Sequence, residues 1–438
     1  MTAKTSIHAG IRSLSRSRLT TDTKKILTDN LLATFATTIA GLLGFFLQAL
    51  VSHTLEPVKF GAAFALISFY SIIVRPAATV GRLVAWRTSS EVASDKGSKT
   101  EGNTVLRVTI KWLLIIGVVL SGLSILAGKT IGGYIHLTTT DIILASLSVP
   151  FLLAFQPLLG ALQGDRRFKA WSSLNIVLPL SYVLLVVVLV FPFGVAGVIG
   201  GVTLGSAISF FIGLYILRRS IWSTDRSKAE LQLGKYLPFL TTGLATTLTV
   251  GVFISADVIV VQHFFNRTIA GQYAIVAVIG NALFSVAGGV LSATFPSIVA
   301  RQTRHQSTVP ILLGTLSVFI LVTITGATAI QALGEPILRI VGGTKYIGAA
   351  SFIGWYSLGM GMLSWATILI HTQQARNRMH LLWILLPALA ARISLLLLFH
   401  RSIMMVVTVS DTLVFLLCIV LFITYMLDEA KLQRGARL

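Results

Sequence analysis

Four charged side chains lie within strongly apolar stretches of the sequence, where a charge is costly. They are Arg75, Asp257, Arg392 and Asp411. A charged group at the centre of a bilayer costs on the order of 2.5–3.5 kcal/mol on insertion scales, so such groups rarely face lipid. Each is therefore expected to face a protein partner, water or a bound ligand, and each is a candidate functional residue.

Arg75 is followed seven residues later by Arg82. At about 1.5 Å per residue, the two lie on one helix face about 10 Å apart. Guanidinium groups bind phosphate oxygens in a bidentate manner and stay charged at depth. The pair is predicted to bind a diphosphate. The alternative is that Arg75 bonds a helix carbonyl beside Pro76 and that Arg82 is an ordinary interfacial cation.

The other three charges suggest different roles. Asp257 is a candidate for binding a coupling proton or cation, or for pairing with an arginine across the cavity. The structural alternative is that it bonds a nearby donor such as Asn281 or Arg267. Arg392 and Asp411 flank one turn at similar distances, which predicts a buried ion pair that holds the hairpin together. If Arg392 instead faces a cavity, it supplies a second phosphate contact.

The composition defines the class of protein. Of 438 residues, 55% are hydrophobic and only 11% are charged, whereas soluble domains carry about 25% charged residues. Apolar segments of about 20 residues recur, each long enough to cross a membrane. The fold class is all-α polytopic membrane protein. The twelve predicted spans are 29–51, 60–84, 105–127, 142–162, 171–191, 195–217, 237–260, 270–293, 310–331, 348–370, 379–399 and 403–426.

The net charge of +20 is explained by membrane topology. Lys and Arg concentrate in alternate loops, as the positive-inside rule requires, which predicts that both termini are cytoplasmic. Nucleic acid is therefore not an expected partner. Cys418 is the sole cysteine, and His and Cys residues do not cluster, so neither a metal nor a cofactor is expected.

The chain divides into two similar halves. Gly61 and Gly271 occupy equivalent positions in turns that precede small-residue helices, the second of which is expected to end at Phe295–Pro296. Six spans in each half predict parallel repeats. The expected organisation is a basic tail (1–28), a six-helix lobe (29–217), a linker (218–236), a second six-helix lobe (237–426) and a tail (427–438).

These motifs carry a family resemblance. The Leu55–Gly61 turn (LEPVKFG), Asp257, Ala270–Ala274 (AGQYA) and Phe295–Pro296 resemble the two halves of Wzx-type flippases. These belong to the multidrug/oligosaccharidyl-lipid/polysaccharide exporter superfamily. The resemblance implies two pseudo-symmetric lobes around a central cavity, and alternating access. It implies that a lipid-linked oligosaccharide on undecaprenyl diphosphate moves across a bacterial cytoplasmic membrane.

On that basis the expected function is a flippase rather than an enzyme, with Asn281 and Trp365 as candidate sugar contacts beside the arginines. Amides bond hydroxyls and aromatic faces stack on sugar rings, although such residues are more often helix contacts or interface anchors. Expected partners are membrane lipid, a coupling proton or sodium ion, and a polysaccharide polymerase or glycosyltransferases. The alternatives are a cation-coupled multidrug exporter and a scaffold subunit of a polysaccharide synthase.

Overall fold

The computed structural model describes residues 3–93, 100–222, 233–303, 308–375 and 380–435. Throughout these ranges the regular secondary structure is α-helical, apart from a 3₁₀ helix at Thr344–Ser351. The all-α polytopic fold class is confirmed, because these helices are as long and as apolar as membrane spans require.

The first lobe contains α1 (Ala3–Thr54), α2 (Pro57–Val74), α3 (Ala77–Ala93), α4 (Thr100–Leu126), α5 (Gly128–Ile135), α6 (Thr139–Ser146), α7 (Val149–Gly164), α8 (Phe168–Ile216) and α9 (Arg218–Ile221). The second contains α10 (Leu233–Phe264), α11 (Arg267–Thr303), α12 (Val309–Ala332), α13 (Gly334–Val341), α14 (Ile353–Ala375), α15 (Leu381–Leu398) and α16 (Ile403–Gly435). Part of the predicted linker 218–236 lies outside the described residues.

Within the described residues, eleven helical segments are candidate membrane spans, and α8 is the longest of them at 49 residues. A helix of that length measures about 73 Å, more than twice the hydrocarbon thickness. Gly194 interrupts α8 with φ 55° and ψ −124°, a conformation open to glycine. The two arms of α8 match the predicted spans 171–191 and 195–217, so the predicted count of twelve spans agrees with the structure.

Prolines act differently in the two repeats. Pro76 separates α2 from α3, and Arg75 lies at that break. By contrast, α11 continues through Phe295–Pro296 to Thr303, so the expected end of this helix was wrong. A proline inside a helix removes one backbone hydrogen bond and clashes with the preceding turn, but it does not by itself end a long helix.

The lobes meet where the two equivalent turns lie side by side, at what we call the turn end of the bundle. A Cβ atom on Gly61 would lie 2.8 Å from the backbone nitrogen of Gly271. A Cβ atom on Gly271 would likewise overlap the carbonyl oxygen of Pro57. Only glycine permits this backbone approach between α2 and α11, so the residues aligned by the sequence repeat form the centre of the lobe interface.

Further contacts join the lobes at the turn end. Ser52 Oγ donates to the carbonyl of Val341 (2.8 Å), and Gln262 Nε2 donates to the carbonyl of Ile135 (3.0 Å). At the opposite end, the rings of Trp86 and Tyr236 lie 5.9 Å apart. The space between the lobes lies between these two sets of contacts.

Candidate functional site

A cavity of about 610 Å³ separates the lobes, a volume typical of ligand sites. Most of its wall is aliphatic. Its polar wall residues are Tyr70, Ser71, Arg75, Arg82, Ser148, Gln156, Tyr182, Thr203, Thr246, Thr247, Ser285, Thr367 and His371. No Asp or Glu lines the cavity in the described part of the chain, so its electrostatic character is positive.

Arg75 reaches the cavity from the break between α2 and α3. The proline that follows it, Pro76, cannot donate a backbone hydrogen bond. The Arg75 side chain extends across to α10, where its Cδ lies 2.8 Å from the position that a Cβ on Gly251 would occupy. Its Nε is buried and has no hydrogen-bond partner. The missing side chain at Gly251 leaves room for the arginine stem.

Arg82 lies on the same cavity face, on α3. Its Nη2 is 3.5 Å from Thr79 Oγ1, and its buried Nε has no partner. Helix α3 packs closely on α7, since a Cβ on Gly160 would overlap the carbonyl oxygen of Gly81. That packing places Gln156 of α7 in the cavity wall near α3.

The second lobe contributes His371 of α14, which lies close enough to Arg82 for their charges to interact. Its Nδ1 lies 3.3 Å from Gln374 Oε1. The cavity therefore receives two guanidinium groups from the first lobe and an imidazole from the second. The guanidinium groups are donors that suit phosphate oxygens, whereas the Nδ1 hydrogen of His371 is directed to Gln374.

Asp257 and Arg392 form an ion pair inside the second lobe, where each is 1% exposed. Arg392 Nη2 lies 3.7 Å from Asp257 Oδ2 and donates to the carbonyl oxygen of Phe253 at 3.3 Å. The hydroxyl of Tyr273 donates to the same carboxylate oxygen at 2.8 Å. This network joins α10, α11 and α15, and none of these four residues lines the cavity.

The predicted ion pair between Arg392 and Asp411 is therefore corrected. Among the described residues, the carboxylate that pairs with Arg392 is Asp257 on α10, because α15 packs its arginine against that helix. The carboxylate of Asp411 instead lies against the backbone of Gly359 on α14. For the same reason, Arg392 does not line the cavity in this structure, and its contact with a substrate stays a prediction.

Asn281 and Trp365, the predicted sugar contacts, also lie outside the cavity wall. Trp365 Nε1 donates to Thr323 Oγ1 at 3.1 Å, which holds the ring between α14 and α12. Asn281 is partly buried within α11. Neither side chain lines the cavity in this structure, and their contact with a sugar stays a prediction.

The cavity also contains residues that sequence reasoning missed, chiefly Tyr70, Gln156 and Tyr182. Tyr70 had a detectable signal, because Tyr70, Val74 and Arg75 follow the spacing of one helix face. Gln156 and Tyr182 had none, since a lone polar residue in an apolar helix does not reveal which way it faces. Binding of substrate by Arg75 and Arg82 stays a prediction, although the structure places both at the cavity.

No protein-family model and no curated protein matches this sequence. Solved structures do match its fold. The lipid II flippase MurJ in an inward closed conformation has a TM-score of 0.72 at 16% identity, over 92% of this chain and 90% of its own. A multidrug resistance MATE family transporter in an inward-facing conformation has a TM-score of 0.71 at 13% identity, over 92% and 96%.

A third similar structure is a MOP superfamily transporter from Pyrococcus furiosus, with a TM-score of 0.70 at 13% identity over 94% of this chain and 96% of its own. At such identities the likeness concerns the fold. The chain therefore has the two-lobed helical fold of the MOP superfamily transporters.

Proposed function

We propose that this protein is a transporter that flips a polyprenyl-diphosphate-linked oligosaccharide across a bacterial cytoplasmic membrane by alternating access. The cargo would pass from the inner to the outer leaflet and serve cell-surface polysaccharide assembly. Glycosyltransferases and a polymerase are its proposed partners. The single observation that carries this proposal is the cavity with two arginines and, among the described wall residues, no carboxylate.

The charge of the cavity favours an anionic cargo over a cationic drug. A guanidinium group in the cavity wall, as in Arg75 and Arg82, gains charge-assisted hydrogen bonds when a phosphate enters. A cationic drug would meet two like charges, and like charges at close range are costly in a site of low dielectric constant. The multidrug exporter is therefore the second candidate.

The driving force follows from charge and orientation. With both termini cytoplasmic, the turn end faces outward, and the lobe contacts there would leave loading to the cytoplasmic side. An inside-negative potential favours outward movement of an anion by roughly 2.3 kcal/mol per charge per 100 mV. A diphosphate cargo would therefore be driven outward without ATP.

Asp257 remains our proposed site for a coupling ion. Asp411 is close enough to interact electrostatically with Asp257 and Arg392. Two carboxylates near one guanidinium carry a net negative charge, which a proton or a sodium ion would neutralise. The comparison of wild-type protein with the Asp257→Asn variant tests this role: we expect transport by the variant to lose its response to an imposed pH or sodium gradient.

The proposed function is tested by reconstitution in liposomes with a fluorescent polyprenyl-diphosphate sugar, whose outer-leaflet fraction is measured by chemical quenching. We expect Arg75→Ala and Arg82→Ala each to slow flipping at least tenfold. Arg339→Ala, which removes an exposed arginine from α13, is the control and should flip at the wild-type rate. Wild-type rates in both cavity variants, or transport of a cationic dye in place of the lipid, would overturn the proposal.

A further inference from the structure

The hydroxyl groups of the cavity wall donate their protons to other protein groups, and this restricts the chemistry of the cargo that they can bind. Tyr70 OH lies 2.7 Å from Ser146 Oγ. Ser146 Oγ in turn donates to the carbonyl of Ile142 at 2.7 Å. Because a hydroxyl carries a single proton, Tyr70 is the donor of its contact with Ser146, and its oxygen, which also interacts with the Ser124 side chain, keeps one further lone pair.

Tyr182 repeats this arrangement on α8. Its hydroxyl lies 2.9 Å from Ser206 Oγ, and Ser206 Oγ donates to the carbonyl of Val202 at 2.7 Å. Tyr182 is therefore also a donor toward the protein. Both tyrosines line the cavity, and the proton of neither hydroxyl is available to a cargo.

Three more hydroxyls of the cavity wall likewise donate their protons to the protein. Ser148 Oγ donates to the carbonyl of Ala145 at 2.6 Å, and Thr203 Oγ1 donates to the carbonyl of Leu144 at 2.8 Å. In the second lobe, Thr367 Oγ1 donates to the carbonyl of Leu363 at 2.8 Å. The protons of these hydroxyls are committed to the protein, so the oxygens can only accept hydrogen bonds from a cargo.

The arginines have the opposite character. A guanidinium group carries five N–H donors and no acceptor, and Arg75 and Arg82 lie in the same cavity. The cavity therefore combines a donor region at the arginines with hydroxyl oxygens from both lobes, which belong to Tyr70, Ser71, Ser148, Tyr182 and Thr203 in the first and to Thr246, Thr247, Ser285 and Thr367 in the second. A complementary cargo needs an acceptor-rich anion joined to a group rich in O–H or N–H donors.

We propose that the acceptor wall formed by Tyr70, Ser148, Tyr182 and Thr203 is a carbohydrate subsite. It would accept hydrogen bonds from the hydroxyls of the first sugar attached to the diphosphate. This inference rests on the proposed function and adds to it the position of the sugar, in the first lobe rather than beside Asn281 and Trp365, and the direction of its hydrogen bonds.

The test measures binding to the full-length protein in nanodiscs with three probes of the same short polyprenyl chain. These are the diphosphate alone, the diphosphate with one N-acetylglucosamine, and the same compound with its sugar hydroxyls methylated. Methylation removes the O–H donors and keeps the oxygens. We expect the sugar-linked probe to bind more tightly than the other two, since each hydrogen bond contributes roughly 1 kcal/mol, or about fivefold in Kd.

Tyr182→Phe and Thr203→Val should each raise the Kd of the sugar-linked probe about fivefold and leave that of the diphosphate unchanged. Thr203→Ser keeps the hydroxyl and should bind like wild type, which separates a lost acceptor from a packing defect. Tyr215→Phe, the same change at a side chain that is 67% exposed on α8, is the control.

Equal shifts for the linked and unlinked probes, or tight binding of the methylated sugar, would overturn the carbohydrate subsite. Failure of the proposed function has a different signature. In that case Arg75→Ala would leave the binding of all three probes unchanged.

Discussion

Arg75 and Arg392 each lie within an apolar stretch of the sequence, one in each lobe, but their surroundings in the structure differ. Arg75 lies in the first lobe and lines the cavity, and no described carboxylate lies in that cavity wall. Arg392 lies in the second lobe, is 1% exposed and is paired with Asp257. A buried cation with a protein partner holds helices together, whereas one that faces a cavity without a partner is available to a ligand. Depth in the membrane alone does not separate the two roles.

The largest expected effect comes from breaking the pair in the second lobe. Arg392→Ala leaves Asp257 buried and uncompensated, which costs about 3–5 kcal/mol of stability. Thermal unfolding in detergent should show a large drop in Tm. The double variant Arg392→Met with Asp257→Asn removes both charges and should recover most of that loss. A drop as large in the double variant as in the single one would contradict the structural role.

Removal of Arg75 should have the opposite pair of effects, a loss of ligand binding without a loss of stability. Arg75→Ala should weaken binding of a polyprenyl diphosphate by roughly ten- to hundredfold, because hydrogen bonds to a charged group contribute about 1.5–3 kcal/mol. Its Tm should stay near that of the wild type, because no protein partner is left uncompensated. Calorimetric binding and thermal unfolding on the same preparation check both expectations. A Tm loss comparable to that of Arg392→Ala would remove the distinction between the lobes.

A smaller effect is expected where the second lobe makes room for Arg75. In Gly251→Ala the new methyl group would lie 2.8 Å from Arg75 Cδ, so the arginine must shift toward a less favourable rotamer at about 0.5–1.5 kcal/mol. Binding of the diphosphate should weaken by about two- to tenfold, less than in Arg75→Ala. Gly200→Ala, on α8 with open space around its Cβ, is the matched control and should bind normally.

The smallest effect concerns His136, a base at the turn end. Burial lowers the pKa of this imidazole, and the nearby Arg267 and His263 lower it further. Because its pKa in the folded protein is below the unfolded value of about 6.5, the unfolded chain binds more protons, and stability falls as the pH drops below that value. Tm should decrease slightly from pH 7.5 to pH 5, and His136→Gln should reduce that slope. An unchanged slope in His136→Gln would show that the titration of His136 does not contribute to the pH dependence of stability.

Much of the fold could be predicted because its signals are local. The length and hydropathy of each span and the turns before Gly61 and Gly271 are all properties of short segments, whereas the break at Pro76 divides a stretch that was predicted as the single span 60–84. The repeat even identified the two glycines that meet at the lobe interface. Of the predicted site residues, Arg75 and Arg82 line the cavity, whereas Arg392, Asn281 and Trp365 do not. Substrate binding by all five stays a prediction.

By itself, the sequence determined that this chain spans the membrane repeatedly and which charges must find partners there, because hydrocarbon penalises every unsatisfied polar group. The tertiary structure decided which partner each charge received. Asp257 and Arg392 are far apart in the chain and meet because α10 packs on α15. Tyr182 faces the cavity because of the way α8 is rotated. Such choices depend on the packing of whole helices, which no single segment encodes.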